Sequence, residues 1–256
     1  METELTLLIC SHTPESVADQ ICKLTKISGY SLHLKRKLVI RDSYFDTPAR
    51  VLKSYGWALR LRETEGSYLI AAKGPSRLAN SGVVERLELE DTWSPEAFHR
   101  ILKEIPCTGC NLAFDETLGE MTDPLRAIEG VGFILIQARE TTRRIMDVSE
   151  PARNERAAEL AVDVVQFQFN NVTMIHYEVE LESKSETGAE ALRSVAGELQ
   201  ELFGSELRIW LHSKLATGWA LERLLEDQSF QVPRVNLGPA VYERIEAMLK
   251  AEIKSE

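Results

Sequence analysis

The chain has 256 residues, of which 44% are hydrophobic, and its formal net charge is −10. This supplies a core for one large domain or two small ones, and the acidic balance argues against broad binding of nucleic acid. The sequence has no run of about 18 apolar residues and no basic N-terminal segment followed by an apolar stretch. We therefore expect a soluble cytoplasmic protein with no signal peptide and no contact with membranes.

The N-terminal half reads as strands separated by proline-initiated helices. Thr13-Pro14 and Ser94-Pro95 each place a capping residue before a proline, which is typical of a helix start. Gly66 lies in a tight turn between two strands, and the polar segment 76–82 is predicted to be a mobile loop. The other predictions are strands at 1–9, 31–46, 57–65, 67–73 and 83–91, and helices at about 13–27 and 94–104.

The C-terminal half continues with strands and then helices. Strands are predicted at 131–146, 159–169 and 172–183, and helices at 123–129, 187–203, 213–225 and 239–253. Without a repeat or a convincing linker, we predict one domain over 1–226 and an appended C-terminal helix in 227–256. Cys107 and Cys110 have CxxC spacing, but the sequence supplies no second pair to complete a zinc site, so they are interpreted as loop thiols.

Charged residues alternate with apolar ones in several predicted strands. In Leu59-Arg60-Leu61-Arg62 the period is two, so both arginines lie on one face of the strand. Taken alone, each such strand is typical of a solvated face. Repetition favours a barrel with charged faces inward and helices covering the apolar side. The other charged positions are Glu2, Glu4, Arg86, Glu88, Glu90, Arg139, Arg143, Asp163, Glu178, Glu180 and Glu182.

These motifs resemble the CYTH superfamily, the triphosphate tunnel metalloenzymes, over residues 1–225. The resemblance lies in an opening Glu2-Thr-Glu4, Asp42-Ser-Tyr-Phe-Asp-Thr-Pro48, the Leu59–Arg62 repeat, Lys73, Arg86-Leu-Glu-Leu-Glu90 and Glu178-Val-Glu180. The segment Ser213–Gly218 is similar to the SKxxRG element of that family. The resemblance implies an α+β fold, with an eight-stranded antiparallel tunnel that has a polar interior and helices outside. Such a tunnel holds a triphosphate chain and a divalent metal.

The resemblance also implies roles for individual residues. Arginine forks and lysine suit phosphate oxygens, and carboxylates suit Mg²⁺ or Mn²⁺, which prefer oxygen ligands. For Glu88 and Glu90 two roles remain open, namely metal binding and the orientation of neighbouring basic residues. Phosphate binding is assigned to Arg60, Arg62, Lys73, Arg86, Arg139, Arg143 and Lys214, with Arg60 and Lys73 catalytic. Metal binding is assigned to Glu2, Glu4, Asp163, Glu178, Glu180 and Glu182.

Two positions depart from the family pattern, because Thr6 and Thr217 stand where the family has a lysine and an arginine. Three function classes therefore remain open. The first is metal-dependent hydrolysis of inorganic triphosphate or a small organic triphosphate. The second is a lyase resembling class IV adenylyl cyclases, and the third is a degenerate protein that binds polyphosphate or nucleotide without chemistry. The expected partner is a small anionic triphosphate, and the protein is expected to be a monomer or homodimer.

Overall fold

The computed structural model describes residues 1–79, 82–105, 123–150, 155–169, 172–185, 188–227 and 236–253. The strands in these ranges are β1 (Glu2–Ile9), β2 (Lys26–Ile27), β3 (Tyr30–Asp46), β4 (Ala58–Thr64), β5 (Ser67–Leu78), β6 (Val84–Thr92), β7 (Ile134–Glu150), β8 (Glu155–Phe169), β9 (Val172–Ser183) and β10 (Leu207–Ile209). The helices are α1 (Pro14–Ile21), α2 (Val51–Ser54), α3 (Pro95–Glu104), α4 (Pro124–Gly130), α5 (Gly188–Phe203), α6 (Lys214–Glu226) and α7 (Pro239–Ile253), with a 3-10 turn at Gly204–Glu206.

The strands form one hydrogen-bonded sheet that returns to its own beginning. Its order is β10-β1-β6-β5-β4-β3-β7-β8-β9, and β9 also pairs with β1. The pairings of β1 with β9, β3 with β4, β4 with β5 and β8 with β9 are all antiparallel. Eight strands therefore close into an antiparallel β-barrel, with β2 and β10 as additions and helices outside. This confirms the predicted fold class.

The chain divides into two compact units. The first unit contains Met1–Glu2, Leu38–Arg77 and Glu85–Glu140, and the second contains Thr3–Lys37, Leu78–Val84 and Thr141–Glu256. In the first unit, Leu59 and Leu61 of β4 and Ile70 of β5 lie on one face of the sheet. They pack in a hydrophobic cluster with residues of α2, α3 and α4. The opposite face of β4 carries Arg60 and Arg62. The predicted division at residue 226 stays a prediction.

The second unit contains two hydrophobic clusters. One packs Leu5 and Leu7 of β1 against α1 and α5, as the alternation in β1 predicts. The other packs Val165 and Phe167 of β8 against α6 and α7. Since these two residues are in phase with Asp163, α6 and α7 lie on the face of β8 that carries this carboxylate. The C-terminal helix thus shares a core with strands of the second unit.

The Asp-Thr-Pro segment after β3 is shaped by one buried carboxylate. Asp46 accepts hydrogen bonds from the backbone N–H of Thr47 at 2.7 Å, Leu52 at 2.9 Å and Lys53 at 3.0 Å. The contacts with Leu52 and Lys53 satisfy donors that the first turn of α2 leaves without an intrahelical partner. Asp46 therefore fixes the chain reversal between β3 and β4, which places Arg60 opposite Tyr44 in the register.

Several predicted boundaries were wrong. Strand β5 continues to Leu78 and so enters the segment predicted as a loop at 76–82, and α1 ends at Ile21 rather than near residue 27. The short elements α2, β2 and β10 were not predicted. Cys107 and Cys110 lie outside the described residues. Within the described ranges, no helix has the length and apolar character needed to cross a membrane.

Candidate functional site

In the first unit, a buried carboxylate on β3 faces three arginines. Asp42 lies directly opposite Arg62 in the β3–β4 register, and it accepts hydrogen bonds from Nε and Nη2 of Arg62 at 2.7 and 3.0 Å. Arg60 and Arg139 approach the same carboxylate at 3.9 and 3.6 Å. Burial alone would raise the pKa of Asp42, but Arg62 and Arg60 outweigh it and hold that pKa well below its usual value. Asp42 is therefore ionised at neutral pH.

Arg60 connects this carboxylate to two glutamates of β6. Its Nη2 atom donates to Glu88 at 3.3 Å and to Glu90 at 3.1 Å, and only 5% of the side chain is exposed. Burial alone would lower the pKa of the guanidinium, but Asp42 and these glutamates contribute to raising it above its usual value. Glu88 and Glu90 thus act as partners of a cation in this structure, which is one of the two roles left open by the sequence.

Glu2 holds two further cations of the first unit. Its carboxylate accepts from Nζ of Lys73 at 2.9 and 3.0 Å and from Nε of Arg86 at 2.8 Å. Burial would raise the pKa of Glu2, but Lys73 and Arg86 lower it to about 2. Lys73 also lies 3.2 Å from Glu88, whose own pKa is raised, chiefly by burial and also by the nearby Glu2.

Arg139 of β7 is buried beside an aromatic ring. Its Nη2 atom donates to the Tyr44 hydroxyl at 2.5 Å and its Nη1 atom to the Gln137 side chain at 3.1 Å. The guanidinium carbon also lies 4.5 Å from the centre of the Tyr44 ring. Burial would raise the pKa of Tyr44, yet Arg139 and other arginines lower it. Arg139 is therefore held by polar groups on its own and the neighbouring strand.

In the second unit, three carboxylates converge. Asp163 of β8 lies directly opposite Glu178 of β9, and Glu180 follows two residues along on the same face. Each of the three offers an oxygen, and these oxygens all lie within 4.8 Å of one another. Asp163 and Glu178 are 0% and 1% exposed. Buried like charges at this separation require a cation between or beside them.

Two side chains supply that positive charge. Arg143 donates to Asp163 at 2.8 and 2.6 Å and to Glu180 at 2.6 Å. Lys214, at the start of α6, lies 2.7 Å from Glu180 and 3.1 Å from Asp163, and it also contacts Glu178. Burial would raise the pKa of Glu178, but Lys214 and His176 lower it to about 2. Conversely, the carboxylates raise the pKa of Lys214 above its usual value, although burial opposes them.

A histidine and a tyrosine extend this acidic cluster toward α7. The Nε2 atom of His176 lies 2.7 Å from Oε2 of Glu178, and its Nδ1 atom lies 3.0 Å from the Tyr242 hydroxyl. His176 is 0% exposed and Tyr242 1% exposed. Neither residue was predicted to belong to the site. The alternation around His176 in β9 gives no signal for a contact with a helix residue 66 positions further along the chain.

The remaining predicted metal ligands lie along β1 and β9. Glu4 is buried and pairs in register with Glu182, while Thr6 pairs with Glu180. Glu182 forms an ion pair with Lys184, and 29% of its side chain is exposed. The three carboxylates with converging oxygens in this unit are Asp163, Glu178 and Glu180. Their metal binding stays a prediction.

Thr217, which stands where the family has an arginine, has a local role in the structure. It is 0% exposed, and its hydroxyl accepts a hydrogen bond from Nε1 of Trp210 at 3.1 Å. The preceding Ser213 accepts a hydrogen bond from the Ala216 backbone and so starts α6, which places Lys214 at the acidic cluster. The side chain at 217 thus belongs to a packed surface between α6 and Trp210.

The predicted cations thus gather in two clusters, each within one unit. Asp42, Tyr44 and His176 were missed as members, because their importance depends on strand register rather than on residue type. Asp42 and Tyr44 both belong to the quoted Asp42–Pro48 motif and lie two residues apart, so they share one face of β3, and this was the one available signal.

A closed antiparallel barrel whose strands carry buried ion pairs and a converging acidic cluster defines a recognisable class of protein. The CYTH domain model matches residues 14–208, and the chain belongs to the CYTH family. A search of curated proteins found no match.

Three solved structures share the fold at low sequence identity. The putative adenylyl cyclase HpAC1 from Hippeastrum, described as having a dominant triphosphatase activity, is 18% identical with a TM-score of 0.54, covering 87% of this chain and 97% of that one. The PH1819 protein from Pyrococcus horikoshii OT3 is 19% identical with a TM-score of 0.50, covering 89% and 100%. A putative adenylate cyclase from Bacillus halodurans is 19% identical with a TM-score of 0.50, covering 84% and 95%.

Proposed function

We propose that this protein is a divalent-metal-dependent hydrolase that removes the terminal phosphate from inorganic triphosphate or a small organic triphosphate. One observation carries the proposal. In the second unit, three carboxylates with converging oxygens lie in direct contact with Arg143 and Lys214, two cations suited to phosphate. Candidate metal ligands and candidate phosphate ligands thus lie side by side, which supports the hydrolysis of a metal-bound polyphosphate.

The acidic cluster suits a hard cation. Mg²⁺ and Mn²⁺ prefer carboxylate, phosphate and water oxygens, and either ion would withdraw charge from phosphate oxygens when bound. In this proposal Asp163, Glu178 and Glu180 are the main metal ligands. Arg143 and Lys214 give up their carboxylate partners to the metal and donate to phosphate oxygens instead. The further candidate ligands are Glu2, Glu4 and Glu182.

The first unit contains the other residues that we propose to bind phosphate. Arg60, Arg62, Lys73, Arg86 and Arg139 are proposed to bind phosphate, with Arg60 and Lys73 stabilising the charge that develops during cleavage. The Nε atom of Arg60 is buried, makes no hydrogen bond among the described residues and lies 3.9 Å from the Asp42 carboxylate, so it is a donor that a bound anion would share with Asp42. Glu88 and Glu90 both accept from Nη2 of Arg60, and substrate must compete with them for that atom.

Two alternative functions are each supported by one specific observation. The adenylyl cyclase name of structural relatives favours a lyase in which the 3′-hydroxyl of a nucleotide attacks its own α-phosphorus. The burial of Thr217 against Trp210 removes one family cation and favours binding of polyphosphate without turnover. Hydrolysis requires fewer special contacts than cyclisation, and the description of HpAC1 as a triphosphatase agrees with it.

The test is purified protein with Mg²⁺ or Mn²⁺ against a panel of inorganic and nucleoside triphosphates, with phosphate, pyrophosphate and cyclic nucleotide measured together. We expect metal-dependent release of phosphate. Cyclic nucleotide with pyrophosphate would establish the lyase, and tight binding without product would establish the non-catalytic protein. Full hydrolytic activity in excess chelator would contradict the proposal.

A further inference from the structure

We infer that Tyr242 of the C-terminal helix is a positioning residue for the acidic cluster: through His176 it fixes the Glu178 carboxylate toward a bound divalent metal. This inference rests on the proposed metal site in the second unit. It assigns a role in that site to α7, which follows the residues 14–208 matched by the family.

The direction of the hydrogen bonds follows from their chemistry. An ionised Glu178 can only accept, so the His176 Nε2 atom at 2.7 Å carries a hydrogen and donates it. In the neutral imidazole, Nδ1 is then an acceptor for the Tyr242 hydroxyl at 3.0 Å. All three side chains are buried, with exposed fractions of 0% to 1%. Water therefore does not compete for these bonds.

The two oxygens of Glu178 are divided between different partners. Oε2 is the atom bound by His176, whereas Oε1 contacts Lys214 in the acidic cluster. Occupying Oε2 fixes the rotation of the carboxylate and leaves Oε1 directed at the cation site. A hydrogen bond from outside the ligand set is a common means of orienting a metal ligand.

Helix α7 fixes the position of the Tyr242 hydroxyl, which is the outer end of this series of hydrogen bonds. The Tyr242 ring packs edge-on against His176 and Trp210, with ring centres 5.6 and 5.8 Å apart. Val241 and Ile245 of the same helix are buried in the hydrophobic cluster shared with β8 and α6. The hydroxyl is thus held by a packed helix, which is what positioning requires of it.

The test compares Tyr242→Phe with Tyr177→Phe in the full chain. Both changes remove the phenolic hydroxyl of a tyrosine that is buried as a residue, but the Tyr177 ring lies in the other hydrophobic cluster of the unit. Mn²⁺ affinity is measured by calorimetric titration and by the electron paramagnetic resonance signal of free Mn²⁺, and melting is followed in chelator. We expect Tyr242→Phe to weaken Mn²⁺ binding by about threefold to tenfold, and Tyr177→Phe to leave it within about twofold of wild type.

His176→Gln separates positioning from packing. Its amide nitrogen can donate to Glu178 in place of Nε2, so it should retain more Mn²⁺ affinity than His176→Leu. Adding Tyr242→Phe to His176→Leu should cause no further loss, because leucine already breaks the connection between Tyr242 and Glu178. Additive losses would overturn the inference, as would wild-type Mn²⁺ affinity in a folded Tyr242→Phe protein. A wild-type protein that binds no Mn²⁺ would instead contradict the proposed function itself.

Discussion

Asp42 and Arg62 face each other across β3 and β4 and form a two-pronged ion pair, with donor–acceptor distances of 2.7 and 3.0 Å. The carboxylate is 2% exposed. Such a pair fixes two strands in register, and an arginine already bound in this way has fewer donors left for a ligand. Arg62 therefore has a structural role in addition to its proposed contact with phosphate.

Arg62→Ala should destabilise the protein by about 2–4 kcal/mol, because it removes one partner of a buried pair while Arg60 and Arg139 still offset part of the charge on Asp42. Denaturant unfolding measures this. Arg41→Ala is the matched control. Arg41 precedes Asp42 in β3 and pairs with Glu63 and Glu140 at the exposed surface, so its removal should change the free energy of unfolding little. If the two variants were equally stable, Arg62 would have no structural role and would serve mainly in ligand binding.

Glu180→Gln should abolish most turnover, because Glu180 belongs to the converging carboxylates and pairs with both Arg143 and Lys214. The comparison is Glu182→Gln, two residues along the same strand face, whose carboxylate pairs with Lys184. We expect a loss of at least about tenfold in Mn²⁺ affinity for the first variant and a smaller loss for the second. Equal losses would extend the ligand set to Glu182.

The metal-free protein should lose stability in acid. The pKa values of Glu2 and Glu178 are lowered from 4.5 to about 2, so their contribution is complete above about pH 4.5 and is lost as the pH falls toward 2. Each contributes at most about 3 kcal/mol. Denaturant unfolding in chelator at pH 6 and pH 3.5 measures the slope. Glu178→Gln should make that slope shallower, and an unchanged slope would contradict the assignment of the lowered pKa to Glu178.

Thr6→Lys should strengthen triphosphate binding several-fold, because residue 6 pairs with Glu180 and so projects on the face of the acidic cluster. A net gain of about 1 kcal/mol is expected after desolvation and side-chain ordering, and it should weaken as salt is raised. Thr3→Lys is the control, since residue 3 lies on the opposite strand face. Calorimetric titration with inorganic triphosphate decides between them. Equal or weaker binding in a folded Thr6→Lys protein would remove position 6 from the ligand face.

Restoring the family arginine at position 217 should harm this protein. Thr217 is fully buried and accepts from the Trp210 indole at 3.1 Å, so an arginine there would break that bond and overfill a packed site. We expect Thr217→Arg to lower stability by about 2 kcal/mol or more, whereas Thr217→Ser, which keeps the acceptor, should cost much less. Thermal unfolding measures both. A stable Thr217→Arg protein with tighter triphosphate binding would show that the side chain reaches the ligand.

The strands of the barrel were predictable because alternation is a local property. Leu59 to Arg62 show which residues share a face without any knowledge of their partners. Strand β5 was cut short because Gly74-Pro75 reads as a stop signal, yet both residues are accommodated within the strand. Elements as short as α2 and β10 carry too few residues for a period to emerge.

Site residues were predictable only where the sequence repeats a charge in phase. Glu178 and Glu180 were predicted in this way, whereas the contact between His176 and Tyr242 depends on how α7 packs on β9. The pairing of Asp42 with Arg62 follows from register, which a sequence alone leaves open by one residue in either direction.

The ion pair between Asp42 and Arg62 also limits which substitutions these two positions can accept during evolution. Losing Arg62 leaves the buried Asp42 charge without its main partner, and losing Asp42 leaves arginines crowded together, so neither change is tolerated easily by itself. Substitutions at these two positions should therefore occur as correlated exchanges during evolution. Covariation between residues 42 and 62 among relatives would then report strand register rather than shared contact with substrate.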